Sequence, residues 1–175
     1  MTDASILHER VRTTLDAAAI EYETLACPPE LADTAEFCAH FGIAAEDACN
    51  AILVVVKTTP RRYLACLVRA DTKLDVNRKV AAIAGTKKLS FASSEETAEV
   101  TGMLIGGVTI AGLPPDIPIY VDERVMERDR IIIGGGNRSS KARLAPAELL
   151  KLPNASVADI AVPREFPSQP VVSRP

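Results

Sequence analysis

Tryptophan is absent from this chain, and aromatic residues make up only 4% of its 175 positions. Any core must therefore be built from Val, Ile, Leu and Ala. Cysteine is also scarce: Cys27, Cys38, Cys49 and Cys66 form no CxxC pair, and the two histidines, His8 and His40, lack metal-ligand spacing with them. This excludes a disulfide scaffold and leaves no candidate metal site or cofactor motif, so buried, reduced thiols are expected. Neither sign of charge dominates: 20 Lys and Arg against 23 Asp and Glu leave a net charge of −3 and a pI near 5.5. Broad binding to a nucleic-acid backbone needs a basic surface that displaces counterions, so no DNA partner is expected. A small basic site that recognises one nucleotide end remains compatible with that balance. Long apolar runs are missing, and the N-terminal MTDASILHER has no apolar stretch of signal-peptide type; the expectation is a cytoplasmic protein with no membrane partner.

What is present fits one globular domain: 47% hydrophobic and 25% charged residues over a length that can enclose a proper core. Leu7, Val11, Leu15 and Ala18/Ala19 recur at helical spacing and predict a helix over 5–19. A short strand over 21–26 and a helix over 34–40, stopped at Gly42, follow. The apolar runs 51–56 and 63–68 flank a polar turn containing Pro60, which is the pattern of a hairpin. Asp75 is placed to cap a helix carrying Val76, Val80, Ile83 and Ala84 and closed by Gly85. After a strand at 88–92, Ser93 and Glu96 have the spacing of a capping box. Strands are predicted at 117–121, 130–133 and 142–144, and a last helix over 146–150 begins at Pro146. Four prolines in the thirteen residues from Pro163 predict a disordered tail, giving one domain over 1–162 and a tail over 163–175. Irregular alternation of helices with hairpin-length connections predicts an α/β fold with a mixed, mostly antiparallel sheet.

Seven of the nine glycines fall between Thr101 and Lys141, at Gly102, Gly106, Gly107, Gly112 and Gly134–Gly136. Glycines clustered beside β-type residues point to unusual dihedrals or to close approach of the backbone to a ligand or another piece of chain. The run GGGNRSSK invites comparison with a phosphate-binding P-loop. It fails, because Lys141 is preceded by Ser140 and followed by Ala142, and Pro146 delays any helix. Two readings of the run stay open. Consecutive glycine amides, completed by Arg138, Ser139, Ser140 and Lys141, can form an anion-binding concavity; alternatively, the segment is a strand-connecting turn with solvated side chains. His8 and His40 read as structural or exposed. Cys49 with His40 as activating base is the only nucleophile arrangement on offer, with no local feature to lower the thiol pKa. The turn over 122–129, which mixes acidic and basic residues, reads as a solvated face rather than a carboxylate pair.

Taken in order, a series of blocks resembles the YbaK-type family, related to the editing domain of bacterial prolyl-tRNA synthetases. The blocks are Thr34-Ala35-Glu36, Gly42-Ile43, the 51–56 strand, Leu74-Asp75-Val76, Phe91-Ala92-Ser93-Ser94-Glu95-Glu96, Thr101-Gly102, Gly106-Gly107-Val108-Thr109, Gly112-Leu113-Pro114, Pro118-Ile119-Tyr120-Val121-Asp122-Glu123, Gly134-Gly135-Gly136, and Leu144 with the 146–150 helix. They span roughly residues 5–160. The resemblance implies a curved, barrel-like sheet flanked by helices. It further implies hydrolysis of the ester linking a wrong amino acid to the 3′ end of tRNA, without a classical nucleophile. Substrate contacts are implied for Gly106, Gly107, Val108, Thr109 and Gly112; Gly135, Gly136, Arg138 and Lys141 are added as further candidates. The implied partners are an aminoacyl-tRNA 3′ end and an aminoacyl-tRNA synthetase, with the chain a monomer or homodimer.

Two departures stand out. The family lysine before the first central strand is replaced by Asn50, which can donate and accept hydrogen bonds but carries no charge. Lys57, seven residues along the same strand, lies roughly 20 Å away by strand rise. Ile110 stands where the family loop often has proline. Two functions are therefore expected to compete: a trans-acting deacylase divergent at Asn50, and a non-catalytic module that binds an aminoacyl-adenosine or amino-acid-like ligand. A bare interaction domain that has kept only the fold is the third possibility.

Overall fold

A computed structural model describes residues 6–164. Helix α1 (Glu9–Ala17) buries Val11 and Leu15, and its N-cap is His8, whose Nδ1 accepts from the Arg10 amide. Strand β1 (Glu23–Ala26) leads to α2 (Thr34–Phe41), which ends at Gly42 in the left-handed region, as its sequence position predicts. The expected hairpin is present: β2 (Cys49–Val56) and β3 (Arg62–Arg69) pair antiparallel, with Asn50 opposite Val68. Asp75 caps the next helical segment by accepting from the Arg78 amide; it opens as a π-turn (Val76–Val80) and continues as α3 (Ala81–Ala84) up to Gly85. Ser93 caps α4 (Ser94–Thr101) by accepting from the Glu96 amide. The reciprocal half of the capping box is missing, because the Glu96 carboxylate is held by Arg61 and Tyr63.

The mixed, mostly antiparallel architecture expected from the sequence is what forms. Strands β5 (Leu89–Phe91), β2, β3, β6 (Ile119–Asp122) and β9 (Ala155–Ala158) make a five-stranded sheet in that order, antiparallel up to β3 and parallel beyond it. A second, antiparallel sheet orders β1, β8 (Ser140–Leu144) and β7 (Ile131–Gly134). A bridge between Ala48 and Ile132 joins the two sheets at the start of β2. Period-two alternation sends Ala65 and Leu67 of β3 into a core shared with α1, β7 and β8, while Leu64, Cys66 and Val68 face a second core under α3.

Three short strands add to those the sequence predicts. Besides β9, short β4 (Thr72–Leu74) pairs with β10 (Ala161–Pro163). Pro163 therefore closes a strand rather than opening a tail; the remainder of the expected tail, 165–175, lies outside the described residues. The last helix is 3-10 over Pro146–Lys151. The 122–129 turn is not simply a solvated face. Asp122 is fully buried and accepts from the amides of Ile160 and Ala161 and from Arg124, tying β6 to the segment that enters β10. Among the described residues, no helix is long and apolar enough to cross a membrane.

Candidate functional site

The start of β2, the entry to α2 and the glycine loop after α4 enclose a cleft of about 410 Å³. Its lining includes Asp33, Thr34 and Ala35 at the start of α2, Asn50 and Ala51 from β2, Ala92 just before α4 and Thr97 on it, Gly106 and Val108 from the glycine loop, and Gly134 and Lys141 from β7 and β8. Three stretches far apart in sequence, around Asn50, Gly106 and Lys141, thus meet at one cavity.

Asn50 is oriented by a neighbour that no sequence pattern assigned to it. The Thr34 hydroxyl donates to Asn50 Oδ1 at 2.6 Å. Asn50 Nδ2 is left as a donor with no protein partner among the described residues, at the wall of the cleft. Thr34 is in turn held from below. Lys141 is only 5% exposed, donates from Nζ to the carbonyl of Ala32 at 2.9 Å, and lies 5.1 Å from the centre of the Phe37 ring. Burial lowers its pKa from the ordinary lysine value, with Cys27, Cys38 and Asp33 opposing that shift. Lys141 therefore fixes the segment that delivers Thr34 to Asn50.

The rim is built by Arg138. Its guanidinium donates to the carbonyls of Ile105 at 2.7 Å and Pro29 at 3.0 Å and lies 3.6 Å from Asp33. It clamps the Leu104–Gly107 turn, closed by Gly107 N–H to Leu104 O at 2.9 Å, against the approach to α2. Gly106 permits this twice over: its φ is +92°, and a Cβ there would sit 2.1 Å from an Arg138 nitrogen.

Most of the remaining glycines serve the chain rather than the cleft. A Cβ on Gly107 would meet the Asn137 carbonyl oxygen at 2.3 Å, and one on Gly134 the Val108 oxygen at 2.5 Å, so the two glycine segments lie directly on each other. Gly112 abuts the α1 backbone at Arg10, Gly136 abuts His8 and Val11, and Gly135 abuts Ser140. The anion-binding concavity does not form. The Gly135 and Gly136 amides are bonded to Ser140 O and Gly107 O, and Asn137 Oδ1 collects Ser139 N–H and the hydroxyls of Ser139 and Ser140. Of the sequence candidates, Asn50, Gly106, Val108 and Lys141 line the cleft, and Arg138 braces its rim. Gly107, Gly112, Gly135 and Gly136 pack behind it; Thr109 is buried with its hydroxyl unpartnered among the described residues, and Ile110 lies in the core.

No activated nucleophile emerges. Cys49 borders the cleft, but burial drives its thiol pKa far upward; Cys66 is pushed up to about 12 for the same reason. All four thiols are free and buried, as the sequence suggested. His40 packs edge-on against Phe41 at 4.8 Å, and neither histidine lines the cleft. Among the described residues, no group of three or more His, Cys, Asp or Glu side chains could hold a metal ion.

This geometry has relatives. A family model described as the aminoacyl-tRNA editing domain matches residues 28–152. The chain is 29% identical over 104 residues to the proposed Cys-tRNA(Pro)/Cys-tRNA(Cys) deacylase EbsC of Enterococcus faecalis, a match covering 59% of this chain and 61% of that relative's length. Its fold is similar to the crystal structure of hypothetical protein APE2540, with a TM-score of 0.79 and 26% identity over 88% of this chain and 100% of the other. It is also similar to a proposed trans-editing enzyme for prolyl tRNA synthetase, with a TM-score of 0.77 and 25% identity over 93% and 99% of the two chains. The family match runs from the approach to α2 through the last 3-10 turn and takes in each segment that lines the cleft, and on that ground the chain belongs to the aminoacyl-tRNA editing domain family.

Proposed function

We propose that the protein is a trans-acting aminoacyl-tRNA deacylase that hydrolyses the ester joining an amino acid to the terminal adenosine of tRNA. The observation that carries this reading is Asn50. It lines the cleft with its Oδ1 held by Thr34 and its N–H₂ without a protein partner among the described residues. An aminoacyl ester is already activated, so catalysis needs a held substrate, a water molecule and a donor that stabilises negative charge developing on the carbonyl oxygen. Asn50 Nδ2 is that donor. A neutral amide supplies less charge stabilisation than an ammonium group, so turnover slower than that of a lysine-bearing site follows from the replacement. The carboxylate of Asp33, at the mouth, is complementary to the α-ammonium group of the substrate. Ala35, Ala51 and Ala92 leave room for a small aminoacyl side chain. An aminoacyl-tRNA synthetase is the macromolecular partner this role would bring.

The test is incubation of the purified protein with a panel of misacylated tRNAs. Hydrolysis of at least one member above the uncatalysed rate is expected, and no hydrolysis of any member overturns the enzyme. Among the described residues, the cleft holds a Cys49 thiol kept protonated by burial and a Lys141 ammonium tied to Ala32, which favours one alternative, a module that binds an aminoacyl-adenosine without turnover. It would show itself as saturable binding of a non-hydrolysable analogue with hydrolysis appearing only in Asn50→Lys.

A further inference from the structure

A second cavity, of about 680 Å³, lies against the other side of Asn50 and Ile52, which line both spaces. The two cavities thus adjoin at the residue assigned to the ester. The second is walled by β4, the π-turn after Asp75 and edge strand β5. Its character differs from that of the chain as a whole. In a protein of net charge −3, it collects three cations, Lys73, Arg78 and Arg164, against one carboxylate, Asp75. Asp75 is occupied: it caps the π-turn and pairs with Arg78 at 3.1 Å. Lys73 and Arg164 enter no ion pair among the described residues, so a surplus of two positive charges faces the cavity. Beside them, Phe91 on β5 is 57% exposed.

Cations that follow a backbone, next to an aromatic face open to solvent, are what single-stranded nucleic acid requires: phosphates pair with the cations and a base stacks on the ring. We propose that this second cavity is the path of the unpaired RNA strand leading to the aminoacylated adenosine, with Phe91 stacking a base and Lys73 and Arg164 neutralising its phosphates. The proposal rests on the aminoacyl-ester reading of the first cleft, and it extends that reading from one nucleoside to the nucleotides that precede it. It also removes the conflict between an acidic chain and an RNA substrate. Recognition is confined to a short unpaired end and needs no basic surface elsewhere.

The test compares two probes by fluorescence anisotropy: a non-hydrolysable aminoacyl-adenosine analogue, and a short single-stranded RNA ending in the same aminoacylated nucleotide. For the native protein, the oligonucleotide should bind more tightly than the analogue, with an affinity that falls as salt rises. In Lys73→Glu/Arg164→Glu, the ratio of oligonucleotide to analogue affinity should collapse by about tenfold or more. The salt slope should flatten by about 1.4 units, at roughly 0.7 for each of the two phosphates no longer neutralised. Phe91→Ala should lower the same ratio without changing the salt slope. Equal affinity for the two probes, or a ratio unmoved by charge reversal, overturns this proposal while leaving the ester site standing. Competition by an acidic peptide as effective as by RNA also overturns it, by showing a protein-docking groove. Binding of neither probe overturns the ester site and this proposal together.

Discussion

Three glycine-to-alanine substitutions separate what the glycines do by conformation from what they do by proximity. Gly85 has φ +70°, and no atom lies within 4 Å of the point a Cβ would occupy, so Gly85→Ala meets only the left-handed backbone penalty. That penalty is about 1–2 kcal/mol. Gly107 has no positive φ, but its Cβ would sit 2.3 Å from the Asn137 carbonyl oxygen, and backbone yields less readily than a side-chain tip. Gly107→Ala should cost about 1–3 kcal/mol through overpacking. Gly136 combines both: φ is +87°, and its Cβ would lie 2.6 Å from His8 Cβ and from Val11 Cγ2 on α1. Gly136→Ala should therefore lose roughly 2–5 kcal/mol, the sum of strain and clash. Urea unfolding at neutral pH reads each difference. A thermal scan should show Gly136→Ala melting lower than Gly85→Ala by a few degrees per kcal/mol, about 2–4 °C for a chain of this size. If Gly136→Ala is no less stable than Gly85→Ala, the glycine run is not there to let the loop lie on α1, and a ligand-facing role returns.

Thr34→Val keeps side-chain shape and removes the hydrogen bond to Asn50 Oδ1; kcat for ester hydrolysis should fall by about fivefold, the value of one net hydrogen bond, with KM little changed. An unchanged kcat would show that Thr34 does not orient the amide. For Lys141, burial holds the folded pKa below the ordinary value of 10.5, so the unfolded chain binds the proton more tightly between the two. Stability of the native protein relative to Lys141→Met should therefore rise with pH across that window and be flat below it. A difference that does not change with pH would contradict the burial of the ammonium. All four thiols should resist alkylation in the folded protein and react together on unfolding; rapid labelling of Cys49 in the native state would reopen the nucleophile.

Much of the fold was legible because its strongest signals are local. The β-branched run from Ala51 to Val56, the Asp75 and Ser93 caps and the Gly42 and Gly85 terminators each act within a few residues, and each appears where the sequence puts it. Strands β4, β9 and β10 were missed because they are three or four residues long and exist only by pairing with strands distant in sequence. The buried Asp122 was missed for a similar reason, since its partners at Ile160 and Ala161 lie almost forty residues away. At the site, the replacement at Asn50 was visible, but its partner was not: Thr34 and Asn50 are sixteen residues apart on different elements. The glycines illustrate the other limit. Their composition announces close approach, and only the packing reveals that Gly112, Gly135 and Gly136 approach the chain itself. Lys141 reads either as part of an anion-binding turn or as a solvated cation, until pairing of β8 with β1 and β7 turns it inward beneath α2.

The decisive measurement is single-turnover hydrolysis of a misacylated tRNA by the native protein, Asn50→Ala and Asn50→Asp. With the Asn50 amide as the donor to the ester carbonyl, the native protein should release amino acid faster than the buffer control. Both variants should fall toward that control, because neither presents an N–H at that position. Native hydrolysis that persists undiminished in Asn50→Ala would contradict the assignment of Asn50.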